Sequence, residues 1–347
     1  MDGGRRTLRV LVGSGLMIGL VAGGTGVVAQ EREERSLAEA YFEDGPTPGS
    51  GVGRRIGYIS LNENIPFVAA VSQGIREQAA VAGVELIECD SRSEADTAIL
   101  CARQLADLGA EAVLNFQSVA EASGRVCTAH GNLPTIAIDI HQPPCERVFM
   151  GADNQFAGRI AGVALGEHLE RERDCDYGHV WILEAGQVGR VSLERTNGMQ
   201  EGFESVCGAV PEERLHRLDV QGLISGTLEL FTPELAAVSE AGVQVVLTIN
   251  DDTARGAEMA AASLGRTSEL RIASQGADTT LTELACEPHW IVSTAYFSER
   301  YGNILIPAVL DLLEGEDVPQ DLFVPHEAVT GENIVDIYGV APDCTAA

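Results

Sequence analysis

The sequence contains no lysine: all 23 basic residues in its 347 positions are arginine. This excludes lysine Schiff bases, the phosphate-binding lysine of P-loops and Ser–Lys hydrolytic pairs. Positive charge of any kind is scarce. Fifty-two acidic residues leave a net charge of −29 at neutral pH. A surface this acidic repels phosphodiester backbones and anionic lipid, which excludes nucleic-acid and membrane-surface partners. Aromatic residues make up only 5% of the chain, so each one beside a candidate site carries weight. No H-E-x-x-H, G-x-S-x-G, Walker A or kinase motif occurs. The His residues at 130, 141, 168, 179, 216, 289 and 326 show no zinc-like spacing, and no two Cys stand as C-x-x-C. Covalent chemistry, a metal site and a bound cofactor are therefore not expected, and the chain does not read as an enzyme.

Residues 1–30 carry the pattern of an export signal. Arg5, Arg6 and Arg9 precede an apolar stretch from Val10 to Val21, and a small-residue exit ends at Ala29. The expected location is periplasmic or otherwise extracytoplasmic. The eight Cys suit that oxidising address. Many pairings are open in principle. Neighbourhood along the chain favours Cys89–Cys101, Cys127–Cys145, Cys175–Cys207 and Cys286–Cys344. Residues 31–54 are charged, then rich in Gly, Pro and Ser, and read as a flexible tether.

Beyond the tether, strand-like and helix-like segments alternate to the end of the chain. Strands are predicted over 55–61, 84–89, 112–116, 135–140, 148–151, 179–184, 215–220, 243–249, 270–274 and 290–297. Most are short unbroken apolar runs, as in parallel strands covered on both faces. Between them apolar residues recur at helical spacing, as at Phe67, Val68, Val71 and Ile75. The alternation indicates an α/β protein of βαβ units. Its strands are too many for one sheet of usual size, so two Rossmann-like lobes with parallel sheets are expected.

Several motifs fall at βα junctions, where open α/β sheets bind ligands. They are Asn64-Ile65-Pro66-Phe67, Ile136-Ala137-Ile138-Asp139, Gly151-Ala152-Asp153-Asn154 and Ser192-Leu193-Glu194-Arg195-Thr196-Asn197-Gly198. Thr248-Ile249-Asn250-Asp251-Asp252, Ser274-Gln275-Gly276-Ala277-Asp278 and Tyr296-Phe297-Ser298-Glu299-Arg300-Tyr301-Gly302 complete the set. In this order and spacing the chain resembles the type I periplasmic binding proteins, specifically the ribose-binding-like sugar receptors of ABC importers. The resemblance covers about residues 55–339.

It implies two lobes, 55–152 with 297–330 and 153–296 with 331–345, joined by a three-strand hinge. Hinge positions would be Ala152, Asp153, Phe297 and Thr330. It implies a small-molecule ligand, a sugar or polyol, held by Asn64, Phe67, Asp139, Arg195, Asn250, Asp278, Tyr296 and Phe297. It also implies a monomer that delivers the ligand to an ABC permease. The same fold could instead feed a chemoreceptor or histidine kinase, or carry an exported enzyme. The residue types suit a sugar: carboxylate, amide and Arg fork satisfy hydroxyls, and aromatic faces cover C–H surfaces. Several positions depart from the pentose-receptor pattern and make the site less polar. Ile65 and Val68 stand where a second amide or aromatic is usual, Ile140 where an Arg is, and Gly276 where an Asp is.

Overall fold

The computed structural model describes residues 37–346 apart from 118, 239–241 and 278. The segment read as an export signal lies outside the described residues, as does Asp278. Two six-stranded sheets form the molecule.

The first sheet takes the order β2-β1-β3-β4-β5-β11 and is parallel throughout. Its strands are β1 (Arg55–Ser60), β2 (Glu85–Asp90), β3 (Ala112–Asn115), β4 (Thr135–Ile138), β5 (Glu146–Gly151) and β11 (Asp321–Phe323). Helices α2 (Pro66–Ala82), α3 (Ala95–Asp107) and α4 (Ser123–Ala129) make the crossovers, and α10 (Tyr301–Glu314) packs beside α2. The second sheet takes the order β7-β6-β8-β9-β10-β12. It contains β6 (His179–Glu184), β7 (Leu215–Asp219), β8 (Gln244–Thr248), β9 (Leu270–Gly276), β10 (Trp290–Ala295) and β12 (Glu327–Val329). Only β12 runs antiparallel. Helices α5 (Asn154–Arg173), α6 (Arg190–Cys207), α7 (Ile224–Ala237), α8 (Asp251–Ser263) and α9 (Leu281–Cys286) cover it, and α11 (Ile334–Tyr338) closes the chain.

The apolar runs have the expected cause. In β1, Ile56 and Tyr58 enter one core and Ile59 the core on the opposite face. In β6, Trp181 and Leu183 divide from Val180 and Ile182 in the same way. A strand buried on both sides has no polar positions to alternate with. Helix α2 starts where Pro66 takes its first position, after an extended Ile65, and ends on Gly83 in the left-handed region at φ 74°.

All four suggested Cys pairs are disulfides, with Cα–Cα separations of 5.5–5.6 Å. Each closes within one lobe: Cys89–Cys101 and Cys127–Cys145 in the first, Cys175–Cys207 and Cys286–Cys344 in the second.

The tether reading is corrected over its described part. Residues 37–44 form a helix, α1, and Ala38 and Phe42 are buried in the core. The Phe42 ring meets Phe297 at 5.4 Å and lies under the Arg300 guanidinium at 3.6 Å. Its carbonyl accepts hydrogen bonds from Arg300 (2.7 Å) and Asn303 (2.9 Å). These contacts convert the segment into a strap across the start of α10.

The chain passes between the sheets three times: at 152–153, between β10 and α10, and between β11 and β12. The third passage differs from expectation. Thr330 follows β12, which already pairs with β10, so the crossing falls at residues 324–326 and 327–330 belong with the second sheet.

Candidate functional site

The first lobe contributes Asp139, just past β4. Its backbone is left-handed at φ 56°, a conformation that Asp tolerates better than most residues and that turns the chain sharply. Its Oδ1 accepts a hydrogen bond from the Tyr301 hydroxyl at 3.2 Å. Burial raises its carboxyl from 3.8 to about 6, against the opposing pull of the Tyr301 hydrogen bond, the Arg195 charge and the Ala152 amide. Arg195 belongs to α6 of the second lobe, so its effect on Asp139 is a link across the cleft.

Arg195 is held on three sides. Its Nε donates to Asn154 Oδ1 at 2.8 Å, its guanidinium lies 4.6 Å from the Tyr296 ring centre, and Nη1 reaches the Ile249 carbonyl at 3.5 Å. The packing of α5 on α6 fixes that frame. A Cβ on Gly158 would collide with the Arg195 carbonyl, and one on Gly198 with the Gln155 carbonyl. Only glycine permits helices to approach this closely. Arg195 is thereby tied to the N-terminus of α5, which begins at the first crossing. There Asp153 caps α5 by accepting from the Phe156 amide at 3.0 Å.

Aromatic surfaces surround the charged pair. Phe67 meets Tyr301 edge-on at 5.8 Å and Phe116 at 6.5 Å, and packs against Ala152, Ala157 and Tyr296 from the other side of the cleft. Tyr296 is buried and its hydroxyl bonds the Gln275 side chain. Burial pushes that hydroxyl up to about 12, so Tyr296 is a neutral donor.

Of the expected contacts, the structure brings Phe67, Asp139, Arg195 and Tyr296 together. Asn64 does not join them: it is exposed on the rim, and its Nδ2 turns back to Asn62 Oδ1 at 3.2 Å. Asn250 is half-buried, but its amide is committed. Oδ1 caps α8 by accepting from the Thr253 amide at 2.8 Å, and Nδ2 donates to the Gly222 carbonyl at 3.0 Å. Phe297 lies in the second crossing, but as a ligand contact it is corrected. Its backbone sits at φ 50°, and its ring packs at tilted angles between Phe42 and Tyr338. A bulky residue accepts that strain only where packing over-determines it.

Sequence reasoning missed Tyr301, Asn154 and Gln275 as members of the cluster. Tyr301 opens α10 and Asn154 opens α5, so helix starts next to the crossings were the available signal. Nor did it single out Asp251 within the motif Thr248–Asp252. Asp251 accepts from Ser274, Ser293 and Thr280 hydroxyls and the Ala277 amide, tying β8, β9 and β10 together beneath the cleft. Away from the cleft, Glu258, Glu287 and His289 bring ligand-type atoms together. Both imidazole nitrogens face carboxylates, Nε2 at 2.7 Å from Glu258 and Nδ1 at 3.9 Å from Glu287. That arrangement is a histidine held between two acids.

Two six-stranded, mostly parallel sheets joined by three crossings give the type I periplasmic binding protein fold. Solved structures agree. The chain is similar to a periplasmic ribose ABC transporter protein from Conexibacter woesei (17% identity, 84% of this chain and 97% of that one, TM-score 0.72). It is also similar to an ABC transporter solute-binding protein from Mycobacterium smegmatis with bound glycerol (18%, 84% and 98%, 0.69). A third similar structure is a solute-binding protein from Bacillus halodurans with bound myo-inositol (19%, 84% and 98%, 0.65). No family model and no curated protein matches the sequence.

Proposed function

We propose that the protein is an extracytoplasmic solute-binding component of an ABC importer, taking a small sugar or polyol between its lobes. One observation carries this reading: a carboxylate from the first lobe and an Arg fork from the second converge with aromatic faces in the interlobe cleft. Asp139 accepts from ligand hydroxyls, Arg195 donates, and Phe67 and Tyr296 cover the C–H faces. Because the contacts come from both lobes, the ligand favours the closed arrangement and shifts the population towards it. Glycerol and myo-inositol in similar structures support the ligand class. The basic–apolar–small pattern of residues 1–30 supports export. Among the described residues no helix is long and apolar enough to cross a membrane. The protein works as a monomer that presents its closed form to a permease.

The test is a thermal-shift screen of the mature protein against sugars, polyols and nucleosides, followed by calorimetry. A true ligand at one hundred times its dissociation constant adds about 2.7 kcal/mol of stability. Stabilisation by a sugar or polyol, lost in Arg195→Ala, is the expected result. Turnover of the ligand, or stabilisation only by non-hydroxylated compounds, would overturn the proposal.

A further inference from the structure

His326 lies in the third hinge crossing and is 8% exposed. Its two ring nitrogens reach the first crossing and the end of β10, where the second crossing starts. Nε2 accepts from the Asp153 backbone amide at 3.1 Å, and Nδ1 faces the Ala295 carbonyl, also at 3.1 Å. These partners leave no choice of tautomer. A backbone N–H can only donate, so Nε2 must be bare; a carbonyl can only accept, so Nδ1 must carry the proton. One neutral imidazole therefore joins all three strands about which the lobes would turn.

We infer that His326 is the positioning residue of the hinge, and that its protonation loosens the closed arrangement of the lobes. A second proton on Nε2 would set two N–H groups against each other at the first crossing. The bond to Asp153 would be lost while the bond to Ala295 remained. Asp153 is also the cap of α5, so the disturbance falls on the helix end that orients Arg195 through Asn154. Histidine is the side chain whose ordinary charge change lies between about pH 5 and 8.

Groups on two neighbouring elements face the ring. From α5 they are Asp153, whose carboxylate is engaged at the Phe156 amide, and the Phe156 ring at 6.5 Å. From the end of β10 comes Tyr296, its ring edge-on at 4.8 Å, with Arg195 stacked on it. Asp139 lies beyond, across the cleft, and titrates in the same range, so it must be separated by experiment.

The inference rests on the two-lobed binding reading, but its test needs no ligand. Small-angle scattering of the ligand-free protein at about pH 8 and about pH 5 would be compared for wild type, His326→Gln and Asp139→Asn. Gln can donate and accept as neutral imidazole does and has no charge to gain. The expected result is an increase in radius of gyration on acidification in wild type and Asp139→Asn, and none in His326→Gln. No expansion in wild type, equal expansion in His326→Gln, or loss of expansion only in Asp139→Asn would each overturn it. Should His326→Gln fail to fold, imidazole nitrogen NMR of the wild type decides. At neutral pH it must show the Nδ1-protonated tautomer, and the Asp153 amide must shift with the titration of His326. The opposite tautomer refutes the assignment. Failure of the ligand screen with success here would leave a pH-sensitive hinge in a protein of some other ligand.

Discussion

Replacing Asp139 with Asn should strengthen the empty protein while weakening its grip on ligand. The folded protein raises this carboxyl from 3.8 to about 6, chiefly by burial. At 1.36 kcal/mol per pH unit, keeping it ionised in the cleft costs about 3 kcal/mol. The folded state holds the proton more tightly than the unfolded chain between those two values. Stability from this group is therefore fully present below about pH 4 and is lost as pH rises through about 6. Asn keeps the oxygen that accepts from Tyr301 but has no charge to desolvate. Urea unfolding of both proteins at intervals from about pH 4 to about pH 8 measures the difference. The variant should be more stable by up to about 3 kcal/mol at the upper end, and the gap should close on acidification. Ligand affinity should move the other way, by roughly 1.5–3 kcal/mol for a charged hydrogen bond removed. An Asn variant no more stable than wild type at about pH 8, or a gap indifferent to pH, would refute the reasoning.

Other consequences can be checked alongside. Arg195→Ala should weaken the ligand found in the screen by roughly 1.5–3 kcal/mol in calorimetry. Gly158→Val places a side chain against the Arg195 carbonyl; it should cost at least about 1–3 kcal/mol in unfolding and also reduce affinity. Phe42→Ala should destabilise the first lobe by about 3–5 kcal/mol, an effect a flexible tether could not produce. Changing Cys175 and Cys207 together to Ser opens a loop with a sequence separation of 32; a loss of about 3–4 kcal/mol is expected in chemical denaturation.

The architecture was legible because its strands are buried on both sides, which leaves unbroken apolar runs in the sequence. All ten predicted strands are present. The two that escaped, β11 and β12, are three residues long and sit at sheet edges, too short to show any pattern. Helix α1 was hidden by its Gly- and Pro-rich continuation. Its signal was local, with Ala38 and Phe42 one turn apart and both buried. The cleft was legible only where a side chain has one evident use. Asp139 stands just past β4 and Arg195 in the second turn of α6, both with charges to satisfy. Asn250 stands at a βα junction, but a helix start offers an amide a nearer partner than any ligand. Phe297 could not be placed because its direction depends on a left-handed backbone that no pattern announces. Tyr301 lies far along the chain from Asp139, and folding alone brings the pair together.

The placement of the disulfides has a practical consequence. No bridge crosses from one lobe to the other, so covalent stiffening is confined to each half while the passage between halves is left to three stretches of backbone. A pair of fluorophores, one on each lobe, should then report a single coordinate, the angle between two stiff bodies, with little contribution from breathing inside either. Oxidised protein is the material of choice for such a sensor, because oxidation quiets the background without locking the motion to be read.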